Sequence, residues 1–78
     1  MQSTWGRERY WTSFVEDSKA GSAGLRLHRE ADGQEGIAAE VMFWEAMGQF
    51  FLQTFDCDVP VTIVELLIAE AKERIKIQ

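Results

Sequence analysis

The 78-residue chain has one cysteine, one histidine and one proline, and each scarcity removes a class of explanation. Cys57 alone closes no internal disulfide, so a reducing, cytoplasmic setting is the expectation. One cysteine and one histidine fall short of the four ligands that a structural zinc site takes, and neither a metal nor a cofactor is expected. Long apolar runs are missing as well. The longest stretch, Val59 to Ala69, is broken by Glu65 and is shorter than the roughly 20 residues that cross a bilayer. The opening MQSTWGRERYW carries charge with no apolar segment behind it, so neither a signal peptide nor a membrane contact is expected. Positive charge is in deficit: 8 Lys and Arg stand against 13 Asp and Glu, a net charge of −5. That balance works against nucleic-acid binding, where phosphate contacts supply most of the non-specific affinity. The deficit is uneven, since residues 1–29 hold five basic and three acidic side chains and residues 30–78 hold three and ten. The basic N-terminal end softens the objection.

What is present is a globular composition, 46% hydrophobic and 27% charged, too apolar for a disordered chain. A chain of this length makes one small domain that buries about 60% of its unfolded surface, and it gains stability by associating. Residues 1–8 show no periodicity and read as an arm, with Trp5 folding back onto the domain at 9–78. Arg9 to Val15, RYWTSFV, is rich in aromatic and β-branched residues and predicts a strand over about 9–15. Tyr10, Thr12 and Phe14 share one side of it, and Trp11, Ser13 and Val15 the other. The small, polar EDSKAGSAG is a loop, and its KAGSAG lacks the Gly-Lys-Ser/Thr ending of a phosphate loop. LRLHRE alternates as a second strand over about 24–30, with Leu25 and Leu27 inward and Arg26, His28 and Glu30 outward. A two-residue Asp32-Gly33 turn after it would pair Leu27 with Ala38 and put the inward sides out of phase. A three-residue Asp32-Gly33-Gln34 loop instead pairs Leu27 with Ala39, Leu25 with Val41 and Arg26 with Glu40, and is the preferred register.

The rest is organised around GIAAEVMFWEAMGQFFLQTF. It predicts strands over about 36–45 and 49–55 about a loop at Ala46-Met47-Gly48, with Gly48 left-handed. That loop pairs Trp44 with Phe50, Phe43 with Phe51, Met42 with Leu52 and Ala39 with Phe55. Ile37, Ala39, Val41, Phe43, Phe51 and Phe55 then share one side, and Met42, Trp44, Phe50 and Leu52 the other. Pro60 suits the first turn of a helix over about 60–76, with a capping box from Thr62 to Glu65. Val61, Val64, Leu67, Ile68, Ala71 and Ile75 form its apolar stripe, and Leu66 with Ile77 a second, weaker line. The predicted fold is α+β: a four-stranded antiparallel meander, ββββα, with the helix on one sheet face.

Chemistry finds little footing in these residues. His28 lies on the outward side of its strand with no serine or second base placed beside it by the sequence. The carboxylates flanking Cys57, Asp56 and Asp58, work against a reactive thiolate. Glu40 and Glu45 fall on opposite sides of one strand and cannot act as a pair. A non-catalytic reading follows. Because one helix covers one side, Met42, Trp44, Phe50 and Leu52 make an apolar patch expected to bind a protein partner, foremost a second copy in a homodimer. The competing arrangement folds Trp5 and Trp11 over the patch within a monomer. The alternative function is single-stranded nucleic-acid binding, with bases stacked on the aromatic face and Arg7, Arg9, Arg26 and Arg29 tracking phosphates. Arg26, His28 and Arg29 are the candidates for polar ligand contacts. Four antiparallel strands followed by a helix is similar to the repeat topology of the Whirly and Pur families, which bind single strands, a likeness of topology with no shared motif.

Overall fold

The computed structural model describes residues 1–75. They form β1 (Gln2–Trp5), β2 (Glu8–Asp17), β3 (Ser22–Ala31), β4 (Gln34–Trp44), β5 (Gln49–Thr54) and α1 (Val61–Arg74). The strands lie side by side in chain order, each antiparallel to the next. The expected α+β meander with a C-terminal helix is there, but it has five strands where four were expected. The extra one comes from the residues read as an arm, where Gln2 pairs with Trp11 and Trp5 with Glu8. Four residues are too few for alternation to show as a pattern. Trp5 stays 54% exposed instead of folding back, and the likeness to four-stranded repeats loses its count.

The turns decide which side chains share a face. Between β2 and β3 the ladder runs to Asp17 and Ser22, so part of EDSKAGSAG is strand. The Asp17 carboxylate accepts the amides of Lys19 and Ala20 at 3.1 Å and closes the turn. Between β3 and β4, Asp32 and Gly33 do form a two-residue turn, with φ of 53° and 78° and Ala31 opposite Gln34. Left-handed backbone at both positions matches the twist of a hairpin. Yet Leu27 still meets Ala39, Leu25 meets Val41 and Arg26 meets Glu40, as expected. A bulge reconciles the two. The ladder shifts between Leu27 and His28, leaving Ala38 as an extra residue between Ala39 and Ile37. Ile37 therefore turns to the side of His28, away from Val41, where it had been placed.

Between β4 and β5 the connection is one residue longer than expected. The carbonyl of Trp44 accepts the amides of Met47 and Gly48 at 3.1 and 2.9 Å, and Trp44 pairs with Gln49, Phe43 with Phe50, Met42 with Phe51 and Val41 with Leu52. A one-residue slip moves every β5 side chain to the opposite face. Phe50 and Leu52 thus lie on the side of Phe43 and Val41, and Phe51 replaces them beside Met42.

The helix covers that first side. Pro60 caps it, its carbonyl accepting the amides of Ile63 and Val64 at 3.0 and 3.1 Å. Thr62 lies inside the first turn, so the expected capping box does not form. Lys72 and Arg74 sit in the last turn, where cations favour the helix dipole. Ile63, Leu67, Ala71 and Ile75 are buried against Tyr10, Leu25, Leu27, Ala39, Val41 and Phe43. Burial of Leu or Ile contributes about 1.5–3 kcal/mol per side chain. The stripe is led by Ile63 and not by Val61, which is 71% exposed at the helix start. Lys76 and Ile77, placed by the sequence at the helix end and on its second apolar line, lie outside the described residues. No described helix is long and apolar enough to cross a membrane.

Candidate functional site: the uncovered sheet face

Alternation along the strands sets this face before any ligand is considered. The helix packs on β3 and β4 from one side. Residues of the opposite parity project from the other, and no element of the described residues lies over them. Register places Trp11 and Ser13 of β2, Arg26 and His28 of β3, Ile37, Glu40, Met42 and Trp44 of β4, and Phe51 of β5 on this second side. It divides into an apolar and a polar half.

The apolar half lies toward β5. Met42 and Trp44 are half-buried and Phe51, directly opposite Met42, is 41% exposed. Gly24 is the floor beneath Met42: a Cβ there would come within 3.3 Å of Met42 Cγ and 3.4 Å of Glu40 Oε1. The missing side chain lets the thioether lie down on the sheet. Of the four patch residues drawn from the sequence, Met42 and Trp44 are on this face, while Phe50 and Leu52 are on the helix side. Phe50 packs there against Phe43, ring centroids 5.0 Å apart.

The polar half lies toward β1. Trp11 and His28 are cross-strand partners, and their rings stack nearly parallel, 5.5 Å between centroids. The Arg9 guanidinium lies 5.8 Å from the indole centre and is bonded to Glu30 at 2.5 Å. Arg26 Nε donates to Glu40 Oε2 at 3.0 Å, so the cross-strand ion pair expected from the register forms. Glu40 is buried and its charge is compensated where it lies. Beside Trp11 an open cleft of about 460 Å³ runs along Gln2, Thr4, Arg9 and Glu35.

Sequence reasoning placed no serine beside His28, yet Ser13 Oγ and His28 Nε2 are 2.7 Å apart. Finding that contact requires the β2–β3 turn length, which composition does not give. A hydroxyl on an imidazole is half of a nucleophile–base set. Among the described residues no carboxylate is hydrogen-bonded to the ring. The contact gives the His28 ring a hydrogen-bond partner on the sheet face.

Arg29, the remaining polar candidate, is on the helix side. Its Nε donates to Glu8 Oε2 at 2.7 Å, and the Tyr10 hydroxyl donates to the same oxygen at 2.5 Å. The Arg29 and Tyr10 hydrogen bonds hold Glu8 below the ordinary carboxylate range. Burial, then the Glu8 contact, pushes Tyr10 up to about 12. The three polar candidates are therefore split, Arg26 and His28 on one face and Arg29 on the other. Cys57 lies apart from His28, its thiol 3.6 Å from the carbonyl of Ala38 in the bulge. Compared with protein-family models, curated proteins and solved structures, the chain has no significant match.

Proposed function

We propose that the protein is a non-catalytic interaction domain that associates with a second copy of itself through the uncovered sheet face. Met42, Trp44 and Phe51 form the centre of the contact. One observation carries the reading: the helix occupies one side of the sheet, and a methionine, an indole and a phenyl ring lie together on paired strands of the other. Removing such surface from water is favourable by roughly 25 cal/mol per Å², and a two-fold pairing of identical patches is the commonest way to do it.

The paired arginines favour protein over nucleic acid as the partner. Arg9 and Arg26 already hold Glu30 and Glu40, so phosphate would have to displace a carboxylate at each. Arg29 points to the helix side with Glu8. Sedimentation of the wild type and of Trp44→Ser/Phe51→Ser tests the reading. The wild type is expected above monomer mass, and the variant at lower mass with unchanged far-UV circular dichroism. An oligonucleotide should leave the tryptophan emission of both unchanged. A wild-type monomer across the micromolar range, or emission quenched by the oligonucleotide, would overturn the proposal.

A further inference from the structure

The outer edge of β5 is separate from the uncovered face. β5 is the last strand of the sheet, and the phase of its hydrogen bonds is set by one contact, the Phe55 amide donating to the carbonyl of Ala38 at 3.0 Å. Bonded and non-bonded pairs alternate in an antiparallel ladder. Gln49, Phe51, Gln53 and Phe55 therefore bond inward to β4. Phe50, Leu52 and Thr54 turn their amides and carbonyls outward, where the described residues offer no partner.

Exposed edges are ordinarily blunted by lysine, proline, a bulge or shortness. β1 at the far edge has four residues. β5 has six, in unbroken register with β4, and Gln49 to Phe55 contains neither a charge nor a proline. The helix packs over β3 and β4 and leaves Leu52 47% exposed.

We infer that β5 pairs antiparallel with β5 of a second copy, about a two-fold axis normal to the sheet and midway between the two Leu52 residues. The strand fits itself in this register. Leu52 exchanges both backbone bonds with its counterpart, and Phe50 does so with Thr54, so each outward amide and carbonyl finds a partner. On the helix side leucine meets leucine and phenylalanine meets threonine; on the open side Phe51 meets Gln53. Gln49–Thr54 carries no charged side chain, so no like charges confront each other along the paired strands. The two five-stranded sheets become one, and the Met42–Phe51 patches end on the same continuous face. This contact goes beyond face-to-face association and does not depend on it. An axis normal to the sheet and an axis lying in its plane are compatible, and together they close a tetramer of dihedral symmetry.

Sedimentation and amide hydrogen exchange of the full chain test the edge separately from the face. Leu52→Lys sets two ammonium groups against each other at the axis and is expected to halve the wild-type mass. Thr54→Pro, which removes an outward amide and leaves the β4 bonds intact, is expected to do the same and covers the case in which the lysine variant fails to fold. In the wild type the Phe50 and Thr54 amides should exchange at least about tenfold more slowly than in Leu52→Lys, with Phe51 and Gln53 equally protected in both. Unchanged mass in the folded edge variants, or fast exchange at Phe50 and Thr54 in the associated wild type, would overturn the inference. Mass lost in Trp44→Ser/Phe51→Ser but kept in Leu52→Lys would sink the edge and leave the face; the reverse would sink the face and leave the edge.

Discussion

Tyr10 is the protein's one tyrosine and is completely buried, which makes its ionisation a clean probe of a single residue. Burial raises its pKa to about 12, with the Glu8 contact acting in the same direction. Phenolate absorbance should therefore rise near pH 12, well above the ordinary value near 10. The sign of the linked stability follows. A group whose pKa is raised by folding contributes fully below its unfolded value, and the contribution is lost as pH climbs through the folded one. Stability is expected to fall as pH rises from about 10 to about 12. A midpoint near 10 in folded protein would contradict the burial. At this scale the sequence was partly legible. Arg26 opposite Glu40 followed from matching charge to charge along the strands. Ser13 against His28 did not, because it depends on a turn at residues 18–21 whose length no residue pattern announces.

The helix offers two substitutions that separate the stripe the sequence suggested from the one that forms. Leu67→Ala removes a fully buried side chain and should cost about 2–5 kcal/mol in urea unfolding. Val61→Ala, at an exposed position, should stay within about 0.5 kcal/mol. Equal costs would mean that the helix is rotated from the orientation described. Both residues satisfy the same periodicity, so the distinction lies in where the helix starts beneath Pro60 and is invisible to spacing.

Glu70 ties the same helix to β2. Burial raises its pKa, but hydrogen bonds from the Met1 nitrogen, Arg74 and Thr12 together outweigh that and lower it. Glu8 is lowered chiefly by Arg29, and Glu30 chiefly by Arg9. A lowered carboxylate stabilises above its unfolded pKa, and that support is lost as pH falls through the folded value. Thermal midpoints should drop as pH falls from about 5 to about 3, and Glu70→Gln should flatten the fall. An identical pH profile in the variant would show that Glu70 does not contribute to the acid dependence. Within the strands, the Ala38 bulge was the least legible feature. The sequence offered an Asp-Gly turn and an apolar register that seemed exclusive, and an extra alanine allows both.

For the molecule as a whole, the legible statement was that one helix leaves one side of the sheet open. That follows from counting amphipathic elements and needs no register. Met42 and Trp44 were placed correctly because β4 keeps its phase from Ala39 to Trp44. Phe50 and Leu52 were not, because a four-residue turn in place of three inverts β5, and Phe51 takes their place. The inversion matters for assembly. It gives the open face a smaller patch, and it puts Leu52 on the helix side of the unguarded edge.

If a second molecule covers the open face, Trp44 reports on it directly. In a Trp5→Phe/Trp11→Phe variant Trp44 is the sole indole, and its quenching by acrylamide can be followed against protein concentration. Quenching is expected to weaken as concentration rises and the chains associate. Quenching that stays constant from the lowest concentration to the highest would contradict it.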